Sequence, residues 1–271
     1  MFYSSMSEER IPPSKLAKLN PHPRDEFITF EEGPHIYTVH GDSSFTSSTT
    51  FVHFHFDHFD ADKIIDNMQY KIENMPDYKY YKMTRQEIKD LWAKNGDTAS
   101  KSGSKIHADI ENYYNDEPVD NDSVEYKYFM NFTKDFPELK PYRTEWMVYY
   151  EELKLSGSID MVYENPDGTL QIYDWKRSKD ISYESYKDKC AKTECIKHLP
   201  DCNYWHYSLQ LNIYKTILEH KYGKKVTALY LVRLHPDNHN NNYDRIEVAD
   251  LSKEVETLFS ERKKELVAQS I

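Results

Sequence analysis

GSIDMVYENPDGTLQIYDWK, residues 157–176, is the stretch on which the reading of this chain turns. Its first run, residues 158–163, is rich in β-branched and aromatic side chains. Asn165-Pro166-Asp167-Gly168 is turn chemistry, and residues 169–175 form a second run of strand formers. The stretch predicts a β-hairpin. Side chains alternate along a strand, so Leu170, Ile172, Asp174 and Lys176 are expected on one face of the second strand. By the same parity Ser158, Asp160 and Val162 share a face of the first. Two acids and a lysine can then converge at one end of the pair, beside apolar residues. A charge in such a place is costly to bury unless it is paired or binds a metal. The residues alone leave two readings open: a metal-binding, catalytic group, or strand-end charges joined in a salt bridge.

Two further marks lie outside the hairpin. Upstream, the small-residue turn Gly103-Ser104 leads through Lys105-Ile106 to His107 on a helical stretch; downstream, Gln210 and Tyr214 are spaced one turn apart on a strong helix. With Gly157 three residues before Asp160, and Asp174-Trp175-Lys176 closing the hairpin, the set resembles the core of the PD-(D/E)XK nuclease superfamily. Within it the chain is similar to the RecB-like exonucleases, among them the mitochondrial genome maintenance exonuclease and related phage and large-DNA-virus nucleases. The resemblance covers roughly residues 85 to 265, and residues 1 to 40 lie outside it. It implies an α/β fold with a mixed β-sheet flanked by helices, here with an N-terminal hairpin and helical elaboration. It departs from the family at Ser104, where threonine is usual before the histidine, and at Arg177-Ser178, where Thr-Ser is common after the lysine.

The resemblance also implies roles. Asp160, Asp174 and Lys176 would be catalytic, and His107, Asp160, Asp174 and the Trp175 backbone carbonyl would hold Mg²⁺ or Mn²⁺. Oxygen-rich sites suit these ions, and an imidazole ligand tilts the choice toward Mn²⁺. Lys176 would orient the attacking water and stabilise charge on the phosphate. Gln210 and Tyr214 would hold the substrate strand or the surroundings of Lys176; Lys105 and Arg177, read from their charge and position, are further substrate-binding candidates. Glu111, one turn after His107, and Glu145, on the parity opposite Trp146, Val148 and Tyr150, are further carboxylates that could support the site. For Glu145 a surface position fits equally well.

Composition bounds these readings. The 271 residues can bury a substantial core; hydrophobic content is only 38%, but 23 tyrosines supply apolar area with a polar tip. No apolar run reaches membrane-spanning length, and the start, MFYSSMSEERIPPSK, has no apolar signal segment. An intracellular, cytoplasmic protein is expected, in the host-cell cytoplasm if viral. The net charge of −11 argues against a protein that coats nucleic acid non-specifically. A local basic stripe would have to guide DNA, and Lys101, Lys105, Arg143, Arg177 and Lys179 are its candidates.

In order along the chain, residues 1–25 read as a poorly ordered polar arm. Residues 26–83 read as a hairpin around Glu32-Gly33-Pro34 and a helical elaboration, and residues 84–271 as the nuclease core. FVHFHFDHF, residues 51–59, reads as a strand with His53 and His55 on one face, suggestive of a metal cluster but more in keeping with aromatic packing. Thr84 and Glu87 form a capping box for a helical region that Gly96 and residues 102–104 are expected to split in two. Residues 181–202 are polar and irregular, a lid or DNA-contact segment. Cys190, Cys195 and Cys202 lack the paired spacing of structural zinc sites and read as reduced thiols.

The function expected is that of a divalent-metal-dependent deoxyribonuclease, an exonuclease on single-stranded DNA or DNA ends in replication, recombination or repair. A structure-specific or RNA-directed endonuclease on the same core is one alternative. A non-catalytic nucleic-acid-binding protein is another, disfavoured by the intact Asp160, Asp174 and Lys176.

Overall fold

The computed structural model describes residues 13–269. The organising hairpin is present: β5 (Leu155–Glu164) and β6 (Leu170–Lys176) pair antiparallel, with Met161 opposite Tyr173 and Glu164 opposite Leu170. The turn closes as its residues demand, Gly168 adopting φ +80° and Asp167 Oδ1 accepting the Thr169 N–H. On the far side of β5 lies β4 (Lys140–Tyr150), antiparallel to it, with a register shift between Pro141 and Arg143 and with Glu145 unpaired.

Beyond β6 the chain runs through α6 (Asn203–Lys221) to β7 (Val226–Arg233), which pairs parallel with β6; β8 (Asp244–Glu247) then pairs antiparallel with β7. A parallel neighbour needs such a helical crossover, because a tight turn can only reverse the chain. The short β3 (Thr46–Ser47) joins β5 in parallel at Leu155 and Ser156. Since β4 occupies one edge of β5 throughout, β3 and β6 must share the other. They leave residues 157–160 between them without a strand partner on that edge. The result is a mixed six-stranded sheet.

Alternation along β6 sorts the core into two layers. Leu170 and Ile172 pack with Leu211, Ile217 and Leu218 of α6 and Val255 and Leu258 of α7 (Ser252–Gln269). Tyr173 and Trp175 pack on the opposite face against α4 (Arg85–Tyr114) and α5 (Val124–Asp135), through Ile106, Ile110, Phe129 and Phe132. Helix α6 is buried nearly all round, beyond the single Tyr207–Tyr222 stripe that its sequence shows, because α2 (Ser48–His53) and α7 cover its outer faces.

Four sequence expectations are corrected. The region after Thr84 is one helix of 30 residues, capped by the Thr84–Glu87 box as expected but unbroken at Gly96 or residues 102–104. Glycine and serine cost about 1 kcal/mol or less each in a helix interior, and packing outweighs that. Ile88 is tied into a small cluster with Ile65 and Ile72 of α3 (Ala61–Asn74), and Ile106 and Ile110 are tied to the sheet. Residues 51–59 begin as the end of a helix, not a strand: Ser47 Oγ accepts the Thr50 N–H and caps α2, so His53 and His55 share no strand face. Of the expected arm, residues 1–12 lie outside the described residues, while residues 13–25 pack on β4. They form α1 (Lys15–Leu19), with Leu16 buried, and a 3-10 turn, Pro23–Phe27. Within that turn, Asp25 accepts from Arg143 Nη1 at 2.7 Å and from Trp146 Nε1 at 3.0 Å. Arg143 is thereby buried and is no part of a DNA-binding stripe. The N-terminal hairpin, β1 (Ile28–Glu31) with β2 (Ile36–Val39), is as expected.

Gly157 meets the tightest spot in the sheet. A Cβ there would lie 2.7 Å from Tyr214 Cε1 and 2.8 Å from its hydroxyl. Tyr214 is buried, so its ring cannot simply swing away. Gly157→Ala is expected to cost about 1–3 kcal/mol, the usual penalty of overpacking. Chemical denaturation of the two proteins checks this; an unchanged midpoint would show that the helix yields freely.

Candidate active site

The site lies where β5 and β6 part company. Their pairing stops at Met161 and Tyr173, and the next residues on each strand are Asp160 and Asp174. Instead of continuing the ladder, the Asp160 side chain reaches across the gap and its Oδ2 accepts the Trp175 N–H at 2.9 Å. Strict alternation would place Ile159 and Val162 on opposite faces, yet both pack in the α6-side core. Asp160 sits at that slip. Across from it on β4, Glu145 adopts φ +41°, a left-handed conformation that a non-glycine residue holds only under constraint.

That local kink brings Glu145 into the site, where its Oε2 accepts the Ser158 hydroxyl at 2.8 Å. His107 approaches from α4. Its Nδ1 lies 3.5 Å from Asp160 Oδ2 and 3.9 Å from Glu145 Oε1. Its Nε2 donates to the Trp175 carbonyl at 2.8 Å, which leaves Nδ1 facing the two carboxylates. Lys176 Nζ lies 2.5 Å from Asp174 Oδ2 and stands 4.6 Å over the Tyr207 ring of α6.

Burial and crowding set the protonation of this cluster. Burial pushes the Asp160 carboxyl up, with Glu145 adding to it, against the pull of His107 and Lys176. Asp174 is pushed up to about 6 by burial and by Asp160, although Lys176 pulls it back. Burial would lower His107, but Asp160 and Glu145 outweigh it and hold the imidazole at about 9. The same contest raises the Lys176 ammonium, where burial is overcome by Asp174 and Asp160. Glu111, one turn beyond His107, is raised by burial and by the charge of Glu145.

A divalent cation fits this arrangement. Among the described residues, His107, Glu145 and Asp160 are the one group of three or more His, Cys, Asp or Glu side chains that could hold a metal, their ligand atoms within 4.8 Å of one another. Asp174 Oδ2 is buried against the Lys176 ammonium. Carboxylates that crowd each other upward in pKa lack positive charge, and a hard ion would supply it. Glu145, left open by the sequence, belongs to this set. Asp174, expected as a ligand, lies outside that group and is paired with Lys176, and the Trp175 carbonyl accepts from His107 Nε2.

The other expected residues fall at varying removes. Gln210 Nε2 donates to the Tyr214 hydroxyl at 3.0 Å and to Thr49 Oγ1 at 3.1 Å, so the pair is anchored against Gly157. Lys105 is exposed and paired with Asp109, Lys101 with Asp97, and Arg177 Nε with Glu125 Oε1 at 2.7 Å. Sequence reading gave Thr49 and Tyr207 no role at the site: Thr49 lies in the first turn of α2, and the spacing of Tyr207 with Leu211, Tyr214, Leu218 and Tyr222 marks only a packing stripe. The cysteines are free, and neither they nor His53, His55 and His58 join a ligand cluster among the described residues.

The model of the PD-(D/E)XK nuclease superfamily matches residues 123–270, more than half of the chain. The chain belongs to that superfamily. Among solved structures, it is similar to a candidate exonuclease from Eubacterium rectale, with 14% identity, 58% of this chain and 70% of that chain covered, and a TM-score of 0.29. It is also similar to the protein SSO0001, with 13% identity, 83% and 77% covered, and a TM-score of 0.31. Both likenesses are remote, and the family rests on the matched model. No curated protein sequence matches the chain.

Metal binding is testable without catalysis. Mn²⁺ added at about 100 times its dissociation constant should stabilise the protein by about 2.7 kcal/mol. Asp160→Asn and Glu145→Gln should each remove most of that gain. A thermal melt followed with and without the ion checks it, and equal shifts in all three proteins would place the ion elsewhere.

Proposed function

We propose that this protein is a divalent-metal-dependent deoxyribonuclease that works as an exonuclease on single-stranded DNA or DNA ends, in replication, recombination or repair. The observation that carries the reading is the meeting of Asp160, Asp174 and Lys176 at the parting of β5 and β6, with His107 and Glu145 closing over them. Hydrolysis of a phosphodiester needs an oriented water, neutralised phosphate charge and an assisted leaving oxygen. His107, Glu145 and Asp160, with Asp174 beside them, would hold Mg²⁺ or Mn²⁺, which supplies Lewis-acid charge and lowers the pKa of water.

The chain's own groups do the rest. Lys176 carries a firmly protonated ammonium at the rim of the acid cluster, placed to meet negative charge developing on the phosphate. Trp175 N–H and Ser158 Oγ hold Asp160 and Glu145 in place, so these acids need no reorganisation when substrate arrives. Tyr207 fixes the Lys176 head from the other side. Gln210 would steady the substrate strand, with the buried Tyr214 hydroxyl holding its amide in place. The exonuclease reading draws on the similarity to the RecB-like branch carried by His107, Gln210 and Tyr214.

Lys176→Ala should lower the rate of DNA hydrolysis by about 10²–10³, the usual cost of one preorganised charge in such a site. Lys176→Arg should recover little of it, because a planar guanidinium does not replace a compact ammonium. Single-turnover hydrolysis of a labelled strand measures both; an alanine variant as fast as wild type would make the lysine a mere ion-pair partner.

Linear single-stranded DNA should be degraded with Mg²⁺ or Mn²⁺ and spared in chelator, while a circular single strand should survive. Cutting of the circle would replace the exonuclease by an endonuclease, and hydrolysis in chelator would end the metal reading.

A further inference from the structure

The segment between β6 and α6 is irregular, yet its first half is pinned in detail. Asn203, in the first turn of α6, accepts the Ser182 N–H at 2.9 Å and donates to the Asp180 carbonyl at 2.7 Å. Trp205 Nε1 donates to the Tyr183 carbonyl, and Arg233 Nη1 donates to the Lys179 carbonyl. Ile181 is buried beneath. These bonds hold the Tyr183 ring on that of the buried Tyr204, with centroids 4.2 Å apart, while Tyr183 itself stays 52% exposed. One ring face is thus packed and the other is presented to solvent.

Three residues on, Tyr186 is 73% exposed. It is followed by Lys187 and Asp188 at φ +57° and +52°, two consecutive non-glycine residues in the left-handed region. Such backbone costs energy and persists only where the surroundings impose it. Here the turn is closed by Ser185 Oγ, which donates to the Lys189 carbonyl. Lys187 Nζ stands 5.3 Å over the Tyr186 ring, so a positive charge accompanies the exposed aromatic face.

The Tyr183 ring adjoins the catalytic end of the sheet, and Tyr186 follows it on the same segment. Tyr183 is seven residues beyond Lys176 and is clamped to the first turn of α6. One turn further along that helix, Tyr207 carries the Lys176 ammonium.

We propose that Tyr183 and Tyr186 form a stacking platform for the unpaired bases of a DNA strand whose backbone enters the Asp160–Lys176 site. The choice of ligand rests on the nuclease reading. The physical case rests on the rings: the Tyr183 face, held on Tyr204, loses little entropy on stacking, the exposed Tyr186 ring extends the surface, every base has a π-face, and Lys187 can meet the backbone phosphate. Paired bases cannot offer those faces, so the platform selects unpaired DNA. It supplies a contact that a chain of net charge −11 cannot draw from a broad basic surface.

The test is fluorescence anisotropy of a labelled oligothymidine in chelator, where no hydrolysis interferes. The Tyr183→Ala/Tyr186→Ala double variant should bind at least about 5-fold more weakly than wild type, each lost base-stacking contact costing about 5- to 150-fold. Tyr183→Phe and Tyr186→Trp, which keep the rings and the fold of the segment, should bind as wild type does. An abasic strand of equal length should lose nothing from the alanine substitutions. Unchanged oligothymidine affinity in the double variant, or an equal loss with the abasic strand, would overturn the platform. Tighter binding of oligouridine than of oligothymidine would overturn its assignment to DNA. Hydrolysis of bis(4-nitrophenyl) phosphate with Mn²⁺, a diester with no base to stack, separates the two readings. Wild type and double variant should cleave it alike; if neither does while the ring-dependent binding persists, the nuclease reading falls and the platform stands.

Discussion

A single hydrogen bond stands at the centre of this structure: the Trp175 N–H given to Asp160 Oδ2 across the gap between β5 and β6. A backbone donor on a central strand must find a partner, and beyond Tyr173 the ladder no longer provides one. Filling that vacancy with a carboxylate turns a break in the sheet into a site. It fixes Asp160 in place, keeps the strands apart, and leaves the Trp175 carbonyl to receive the His107 ring from the opposite layer. Gly157 and Tyr214 occupy the rest of the same unpaired edge. The gap is therefore packed at one end and chemically armed at the other.

The cost of that arrangement is electrostatic. A buried Asp174 and a half-buried Asp160 lie close together, with Glu145 and Glu111 near, against one lysine and one imidazole. Like charges in low dielectric repel strongly, which is why the carboxyls are driven upward while His107 and Lys176 are held protonated. Here the carboxyls and the imidazole are displaced from the protonation they have in water, the usual sign of a functional cluster. The left-handed backbone at Glu145 belongs to the same account, since an unstrained strand would have turned that carboxylate elsewhere.

Much of this was legible beforehand, because it is local. The hairpin follows from period-two patterning and the Asn-Pro-Asp-Gly turn, and β6 presents Asp174 and Lys176 on the α6 side as parity requires. The capped start of α4 follows from Thr84 and Glu87, and the position of α6 from its apolar stripe. Resemblance carried His107, Gln210 and Tyr214, whose roles no periodicity could have supplied.

What the amino-acid sequence determined by itself, then, is the β5–β6 hairpin and its turn, the N-terminal hairpin, the Thr84–Glu87 cap, the helix α6, and the acid–lysine spacing on β6. Tertiary structure decided the rest. Whether α4 breaks at its glycines was settled by anchors at its two ends, Ile88 on α3 and Ile106 on the sheet. Whether Arg143 faces DNA was settled by Asp25, far away in the chain. Whether residues 51–59 extend or coil was settled by burial of Phe51, Val52 and Phe56. Glu145 entered the site only because β4 kinks opposite Asp160. In each case the deciding energy is packing, or an ion pair between segments distant in sequence, which outweighs local preferences of about 1 kcal/mol or less per residue.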